Sequence, residues 1–196
     1  MRSLIVGLTG YAGVGKDEAA KCLTRVGWER VSFADPLRKA LYNLNPLLPG
    51  MQVDTIRLQD VVDALGWEEA KRGYPEIRAL LQRMGTEAGR DIHGQNCWTR
   101  IAEQSMLQAL LTSKSCILTD VRFPNELALI KQHGGIIIRI ERPGVGPVNS
   151  HVSDQQAFDP SDIYATLTND GSIDKLRGEL VTTITRWIGQ FPPEGV

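Results

Sequence analysis

The stretch GLTGYAGVGKDEAA, residues 7–20, decides how the fold of this chain is interpreted. From Gly10 to Asp17 it matches the phosphate-loop pattern G-x-x-x-x-G-K-[ST] at every position but the last. An apolar run at residues 4–8 precedes it and predicts a buried strand, whereas the residues from Lys16 onward predict a helix. A glycine-rich loop in this setting presents backbone amides to an anion at the helix N-terminus. The stretch therefore predicts a nucleotide-binding loop, with a glycine-rich turn before an ordinary helix as the alternative.

The predicted loop supplies an adaptable backbone and a positive charge. Its glycines let the chain wrap around phosphate oxygens, and Lys16 brings a cation to the terminal phosphates of a triphosphate. The residues that we expect to contact the nucleotide are Tyr11, Gly13, Val14, Gly15, Lys16 and Asp17.

Asp17 stands where such loops carry a serine or threonine that binds Mg²⁺. A carboxylate is also a hard oxygen ligand, so a direct metal role is chemically preserved, and we favour it. Two alternatives stay open. Asp17 either holds a metal-bound water or orients Lys16, or it is simply an acidic residue favoured in the first turn of a helix.

Composition limits the function classes. The 22 Lys and Arg residues nearly balance the 23 Asp and Glu residues, so no large net charge recruits nucleic acid or a membrane surface. Cys22, Cys97 and Cys116 are widely spaced, which disfavours disulfides and zinc and favours a reducing compartment. The first apolar run is too short for a signal peptide or a membrane span. We expect a cytoplasmic protein, in the host cytoplasm if it is phage-encoded, with small-molecule partners and neither nucleic acid nor membrane; a homodimer stays open.

Strand and helix patterns alternate along the chain. Strands are predicted near residues 4–8, 28–33, 115–120, 135–140 and 163–170, the first, third and fourth of them from apolar or β-branched runs. Amphipathic spacing and helix-end signals predict helices near residues 16–26, 35–45, 75–84, 123–135 and 172–191, the second of them capped by Asp35. This alternation predicts an α/β fold of the P-loop NTPase kind, a doubly wound sheet of about five parallel strands with helices on both faces.

We expect one domain over residues 1–196, with two departures from the alternating scaffold. Residues 46–74 change character, because PLLPG predicts a loop and DTIRLQDVVDALG predicts a helix, so this segment is interpreted as a helical insertion. Residues 142–160 have no clear period and contain many Gly, Pro and Ser residues, which is typical of a mobile lid.

A phosphoryl-transfer site also needs a second metal anchor and cations for the acceptor. Asp120 ends an apolar strand, at the edge where doubly wound sheets bind ligands, although an ordinary surface turn is the alternative. Guanidinium groups suit phosphate oxygens, but any one of them can equally form a surface ion pair, as Arg83 and Glu87 are spaced to do. The candidate arginines are Arg38, Arg83, Arg90 and Arg122.

Two further features have open interpretations. Trp98 lies in the polar segment RDIHGQNCWTR, where it either stacks on a nucleobase or packs in the core. Arg139, Arg142 and His151 lie beside or within the expected lid, and one of them is expected to reach the transferring phosphate when the lid closes.

Six segments, taken together, carry a family resemblance: GYAGVGKDEAA, FADPLRKAL, LQRMGTEAGRDIHGQNCW, LTDVRFPNE, GGIIIRIERPG and NDGSIDKL. The chain resembles, up to about residue 175, the phage-type deoxynucleoside monophosphate kinases within the nucleoside monophosphate kinase group of P-loop proteins. The resemblance implies a five-stranded parallel core, a mobile lid, and ATP- and Mg²⁺-dependent phosphorylation of a deoxynucleoside monophosphate to the diphosphate.

The resemblance also implies residue roles. The phosphate loop would hold ATP and Mg²⁺, Asn169 would lie near the adenine, and Asp17 and Asp120 are the expected metal ligands. The expected catalytic residues are Lys16, Asp17, Asp120 and Arg122. The expected acceptor-binding residues are Phe33, Asp35, Arg38, Arg83, Arg90, Trp98 and Glu126.

Two other functions stay open at this point. One is a different small-molecule P-loop kinase, such as a dephospho-coenzyme A kinase, which would use the same loop on another acceptor. The other is a nucleotide-dependent switch, which the sequence disfavours for guanine nucleotides because it contains no [NT]-K-x-D motif.

Overall fold

The computed structural model describes residues 3–50, 54–146 and 158–190. The chain divides into two compact units, one formed by residues 1–32 and 103–196 and the other by residues 33–102. The segment expected to be a helical insertion, residues 46–74, belongs to the second unit.

In chain order, the elements are β1 (Ile5–Thr9), α1 (Lys16–Thr24), β2 (Glu29–Val31), α2 (Ala34–Leu44), β3 (Leu47–Pro49), β4 (Thr55–Arg57), α3 (Leu58–Gly73), α4 (Pro75–Gly85), a π-helical segment (Thr86–Arg90), α5 (Asp91–His93), α6 (Cys97–Leu111), β5 (Cys116–Leu118), α7 (Pro124–Gln132), β6 (Ile136–Glu141), a 3-10 turn (Pro160–Asp162), β7 (Ala165–Thr168) and α8 (Ile173–Ile188).

The first unit is built on a parallel sheet of five strands in the order β2-β5-β1-β6-β7. In the central strand, Val6 is paired with Ile117 of β5 on one side and Ile136 of β6 on the other. The strand order therefore reverses at β1: β2 and β5 lie on one side of it, and β6 and β7 lie on the other. In sheets of this kind ligands bind beyond the carboxyl ends of the strands at such a point.

Helices cover both faces of this sheet. On one face, Val6 and Leu8 share a core cluster with Leu180 of α8. On the opposite face, Gly7 lies under α7 so closely that a Cβ atom there would be 2.6 Å from the Ile130 side chain. Successive residues of a strand point to opposite faces, so both sides of β1 are buried, and its sequence is accordingly apolar from Ile5 to Leu8. The predicted fold class is confirmed.

The second unit is mainly helical. Its core joins α2, the β3–β4 hairpin, α3 and α4 through buried side chains that include Leu41, Leu48, Leu58 and Ile77. The helix α3 is bent at Gly66, whose φ of 73° interrupts the helical backbone.

The second unit also differs from the sequence predictions. PLLPG is not a plain loop, because Leu47–Pro49 pairs antiparallel with Thr55–Arg57, which was expected to begin a helix. Three-residue strands are too short to show a reliable period of two. Asp35 does not cap α2, since the helix begins at Ala34 with Phe33 at the N-cap position. The long helix α6 was not predicted.

The expected lid is described only at its ends. Residues 142–146 and 158–160 are described, whereas residues 147–157, with His151, lie outside the described residues. Over the ranges given above, we find no helix with the length and apolar character needed to cross a bilayer.

Candidate active site

The phosphate loop connects β1 to α1, and two of its glycines are required by close packing. Gly10 has φ of 132°, and a Cβ atom there would lie 2.1 Å from the Ile140 carbonyl oxygen. Gly15, with φ of 103°, is the N-cap of α1, and a Cβ atom there would lie 2.9 Å from Asn169 Nδ2. Both positions combine a left-handed backbone with contact to the β6–β7 side of the sheet, so only glycine fits them without strain.

Lys16 is buried and its ammonium group lies against the loop itself. Its Nζ donates to the carbonyl oxygens of Gly10 at 2.5 Å and Tyr11 at 2.8 Å. A buried ammonium held by backbone carbonyls provides a fixed positive charge at the N-terminus of α1. Such an arrangement can bind an anion such as phosphate through both the charge and the loop amides.

Asn169 follows β7 and holds the loop from the side. Its backbone amide donates to the Glu141 carbonyl oxygen, which continues the pairing of β7 with β6. Its side-chain Nδ2 donates to the Val14 carbonyl oxygen at 2.8 Å. The predicted adenine-side residue therefore contacts the phosphate loop directly.

Asp17 occupies the first turn of α1 and is exposed. Its Oδ1 accepts a hydrogen bond from Thr119 Oγ1 at 2.6 Å. Thr119 follows β5, the strand that pairs with β1, and is 2% exposed. A buried hydroxyl thus fixes one oxygen of the carboxylate that replaces the usual loop hydroxyl.

Asp120 is the next residue after Thr119 and is half-buried. Its Oδ2 accepts a hydrogen bond at 2.7 Å from Ser32 Oγ, at the end of β2. Asp17 and Asp120 therefore both lie at the carboxyl edge of the sheet, each oriented by a hydroxyl from a strand end. Carboxylate oxygens are the protein ligands that Mg²⁺ prefers, so this donor set fits the metal that the fold implies.

Arg122 and Glu126 lie at the start of α7. Glu126 is buried, and its Oε2 accepts from the backbone amides of Arg122 at 2.7 Å and Phe123 at 3.1 Å. These bonds satisfy amides at the helix N-terminus, as in a capping box. Glu126 therefore shapes the turn that presents Arg122, a half-buried residue.

In the second unit, Trp98 and Arg90 converge on one carbonyl oxygen. The Gly85 oxygen accepts from Trp98 Nε1 at 2.9 Å and from Arg90 Nη1 at 3.0 Å. The Trp98 ring covers Gly89, where a Cβ atom would lie 2.6 Å from two ring atoms. In its described contacts, Trp98 packs as a core residue, which is one of the two interpretations left open by the sequence.

Of the other expected acceptor residues, Glu126 lies in the first unit, whereas Phe33, Asp35, Arg38 and Arg83 lie in the second. Phe33 is buried. Arg38 forms ion pairs with Asp35 at 3.5 Å and Glu68 at 3.4 Å. Burial acts to raise the pKa of Glu68, but its hydrogen bond to Lys71 and the nearby cations outweigh burial and lower this pKa.

The other candidate arginines differ in exposure. The Arg83 side chain is 67% exposed and pairs with Glu87 at 3.2 Å, the surface pair that their spacing suggested. Arg139 is half-buried within β6, and Arg142 is exposed.

Sequence reasoning missed Ser32 and Thr119. Each is a hydroxyl residue immediately after a strand, in VSFAD and LTDV respectively, and this position was the available signal. Their partners are 88 and 102 positions away along the chain, so the pairing itself appears only in the folded protein.

Comparison with known proteins adds independent information. A family model described as "Deoxynucleotide monophosphate kinase" matches residues 51–180, about two thirds of the chain. A protein of Acanthamoeba polyphaga mimivirus named "Putative deoxynucleotide monophosphate kinase" is 29% identical, over 92% of this chain and 96% of the viral protein. The "Deoxynucleoside-5'-monophosphate kinase" of Escherichia phage T5 is 28% identical, over 66% of this chain and 72% of its own length.

Among solved structures, the crystal structure of TT1252 from Thermus thermophilus is similar with a TM-score of 0.52 and 15% identity. The match covers 95% of this chain and 98% of the Thermus chain. At this level of identity the similarity shows a common fold.

Proposed function

Because this chain belongs to the deoxynucleotide monophosphate kinase family, it is a phosphotransferase that phosphorylates deoxynucleoside monophosphates, and we propose how its own residues carry out that transfer. The observation that supports the assignment most directly in the structure is the buried ammonium of Lys16 within a glycine loop at the N-terminus of α1. That arrangement suits a nucleoside triphosphate as phosphoryl donor.

We propose that the donor is ATP and that residues 10–17 bind its phosphates. The loop amides, among them those of Tyr11, Gly13, Val14 and Gly15, would donate to phosphate oxygens, and Lys16 would exchange its carbonyl partners for the terminal phosphates. Asn169 would then lie between the loop and the adenine, holding the Val14 carbonyl.

We propose that Asp17 and Asp120 hold Mg²⁺, directly or through water. When bound, Mg²⁺ neutralises charge that develops on the phosphate oxygens. Thr119 and Ser32 would keep the two carboxylates in fixed rotamers. Arg122 would supply a guanidinium group to the transferring phosphoryl group, in the turn shaped by Glu126.

We propose that the second unit supplies the acceptor site. Phe33 and Trp98 would contribute apolar surface, Asp35 and Arg38 a paired carboxylate and guanidinium, and Arg83 and Arg90 additional cations for the monophosphate. Catalysis would consist of positioning and electrostatic stabilisation with no covalent enzyme intermediate.

Several properties stay proposals on this basis. They are a lid function for residues 142–160, of which 147–157 lie outside the described residues, with a contribution from Arg139, Arg142 or His151. They also include a cytoplasmic location (the host cytoplasm if the chain is phage-encoded) and small nucleotides rather than nucleic acid as partners. Whether the chain acts as a homodimer is part of the same test.

The test is ADP formation from ATP and MgCl₂ with each deoxynucleoside and ribonucleoside monophosphate added singly, and with dephospho-coenzyme A as a control acceptor. We expect strong stimulation by one or a few deoxynucleoside monophosphates and conversion of each to its diphosphate. Stimulation by dephospho-coenzyme A alone, or slow hydrolysis that no acceptor stimulates, would contradict the proposed reaction. Sedimentation of the active enzyme would decide its oligomeric state.

A further inference from the structure

Asp17, which stands where phosphate loops usually carry a serine or threonine, is hydrogen-bonded to Thr119, 102 positions later in the chain. P-loop NTPases that use Mg²⁺ hold it with a loop hydroxyl and with a carboxylate supplied from another strand. Here the loop supplies a carboxylate, Asp17, and the residue after the neighbouring strand supplies a hydroxyl, Thr119. The end of β5 therefore supplies both a carboxylate, Asp120, and a hydroxyl, Thr119, that is bonded to the carboxylate of the loop.

We propose that Thr119 is a positioning residue for Asp17, and that the two form a hydroxyl–carboxylate pair that prepares the loop for Mg²⁺ and ATP. This inference rests on the proposed function of the loop. The role depends on the Thr119 hydroxyl, so replacing threonine with an apolar residue of the same shape would remove it.

Three observations support the role. Thr119 is 2% exposed, so its β-branched side chain has little freedom at χ1. Its hydroxyl donates to Oδ1 of Asp17 at 2.6 Å, a length typical of a hydroxyl bonded to a carboxylate. Throughout residues 3–50, 54–146 and 158–190, no other side chain forms a hydrogen bond or ion pair with the Asp17 carboxylate.

The geometry explains why an exposed aspartate would need such a partner. A free side chain on the first turn of a helix samples several rotamers, and holding it in one of them costs conformational entropy. A bond from a buried hydroxyl restricts the carboxylate before any ligand binds. The second oxygen, Oδ2, is then presented from a fixed position beside the loop.

The primary experiment measures ATP binding by calorimetry, once with MgCl₂ and once with EDTA, in wild type, Thr119→Val and Thr119→Ser. Valine keeps the shape of threonine and removes the hydroxyl, whereas serine keeps the hydroxyl. In wild type, Mg²⁺ should raise the affinity for ATP by a certain factor, and we expect this factor to be about tenfold smaller in Thr119→Val. In EDTA, Thr119→Val should bind ATP as tightly as wild type does. Thr119→Ser should retain most of the gain.

A matched control is Thr183→Val. Thr183 is 5% exposed in α8 of the same unit, distant in sequence from the loop, so this substitution reports the general effect of replacing a buried threonine. We expect it to leave the Mg²⁺ effect unchanged.

A second experiment exchanges the pair. Asp17→Thr and Thr119→Asp should each weaken ATP binding in the presence of Mg²⁺, and the double variant should recover to within about threefold of wild type, since neighbouring substitutions of this kind are not additive. Recovery in the double variant would identify the pair, and not the individual positions, as the unit that matters.

The proposal is overturned if Thr119→Val keeps the full Mg²⁺ effect, if it weakens ATP binding equally in EDTA, or if Thr119→Ser behaves like valine. Failure of the kinase assignment is a separate result. In that case the wild type forms no ADP in response to any acceptor, while the calorimetric comparison still reports on ATP and Mg²⁺.

Discussion

At the scale of single residues, Asn169 contacts the phosphate loop at two positions. Its side chain spans 155 positions of sequence to reach the Val14 carbonyl oxygen. The same amide nitrogen occupies the space that a side chain at position 15 would need. Glycine at 15 and asparagine at 169 therefore depend on each other.

We predict that Asn169→Ala and Asn169→Asp weaken ATP binding by up to about tenfold, because a hydrogen bond to the loop is lost and aspartate also places a charged oxygen against a carbonyl. Binding of inorganic tripolyphosphate, which has no base, should weaken by the same factor in calorimetry. The control is Asp170→Asn, an exposed neighbour paired with Lys175. Loss of ATP binding with unchanged tripolyphosphate binding would contradict the loop role and favour contact with adenine.

At the scale of elements, the π-helical segment Thr86–Arg90 explains why two glycines interrupt an otherwise regular helical region. Wide turns of this type are often found at functional sites. Gly85 ends α4 and offers its carbonyl oxygen to both Trp98 and Arg90. Gly89 allows the indole ring to lie directly on the backbone.

We predict that Gly89→Ala lowers the free energy of unfolding by about 1–3 kcal/mol, since the new methyl group must displace the rigid Trp98 ring. Gly178→Ala serves as the control. Gly178 lies in α8 with open space around its Cβ position, so alanine there should stabilise by up to about 1 kcal/mol through helix propensity. Urea titrations followed by circular dichroism measure both values, and an unchanged stability in Gly89→Ala would show that the ring adjusts freely.

At the scale of the whole molecule, the three cysteines differ in how deeply they are buried. Cys116 is the first residue of β5, which lies between β1 and β2 in the first unit's sheet, and it is 0% exposed. Burial, with a smaller effect of the Glu29 charge, raises the pKa of its thiol to about 11. Cys22 and Cys97 are half-buried.

We predict that a thiol reagent at pH 8 modifies Cys22 and Cys97 in the native protein and leaves Cys116 unmodified, because its thiolate is both scarce and enclosed. In the Cys22→Ser, Cys97→Ser double variant, which retains only Cys116, labelling should occur only when urea unfolds the chain. Mass spectrometry after timed labelling measures this. Rapid modification of Cys116 without urea would mean that the sheet opens at low free energy.

Some features of the site could be predicted because their signals are local. Gly10, Gly15 and Lys16 lie within a few residues of one another, so their spacing alone indicates a phosphate loop. The hairpin of β3 and β4 escaped prediction because three residues carry too little periodicity. The role of Trp98 could not be decided from sequence, because its neighbours in the chain are polar and its packing on Gly89 is not visible there.

The amino-acid sequence by itself determined the alternation of apolar strands and amphipathic helices, the phosphate loop and the family, since each depends on residues close together in the chain or on motif order. Only the tertiary structure decided the strand order and the pairs Thr119–Asp17, Ser32–Asp120 and Asn169–Val14. The physical reason is that these hydrogen bonds join segments about 90 to 155 positions apart. Such segments meet only when the packing of the sheet places their strand ends side by side.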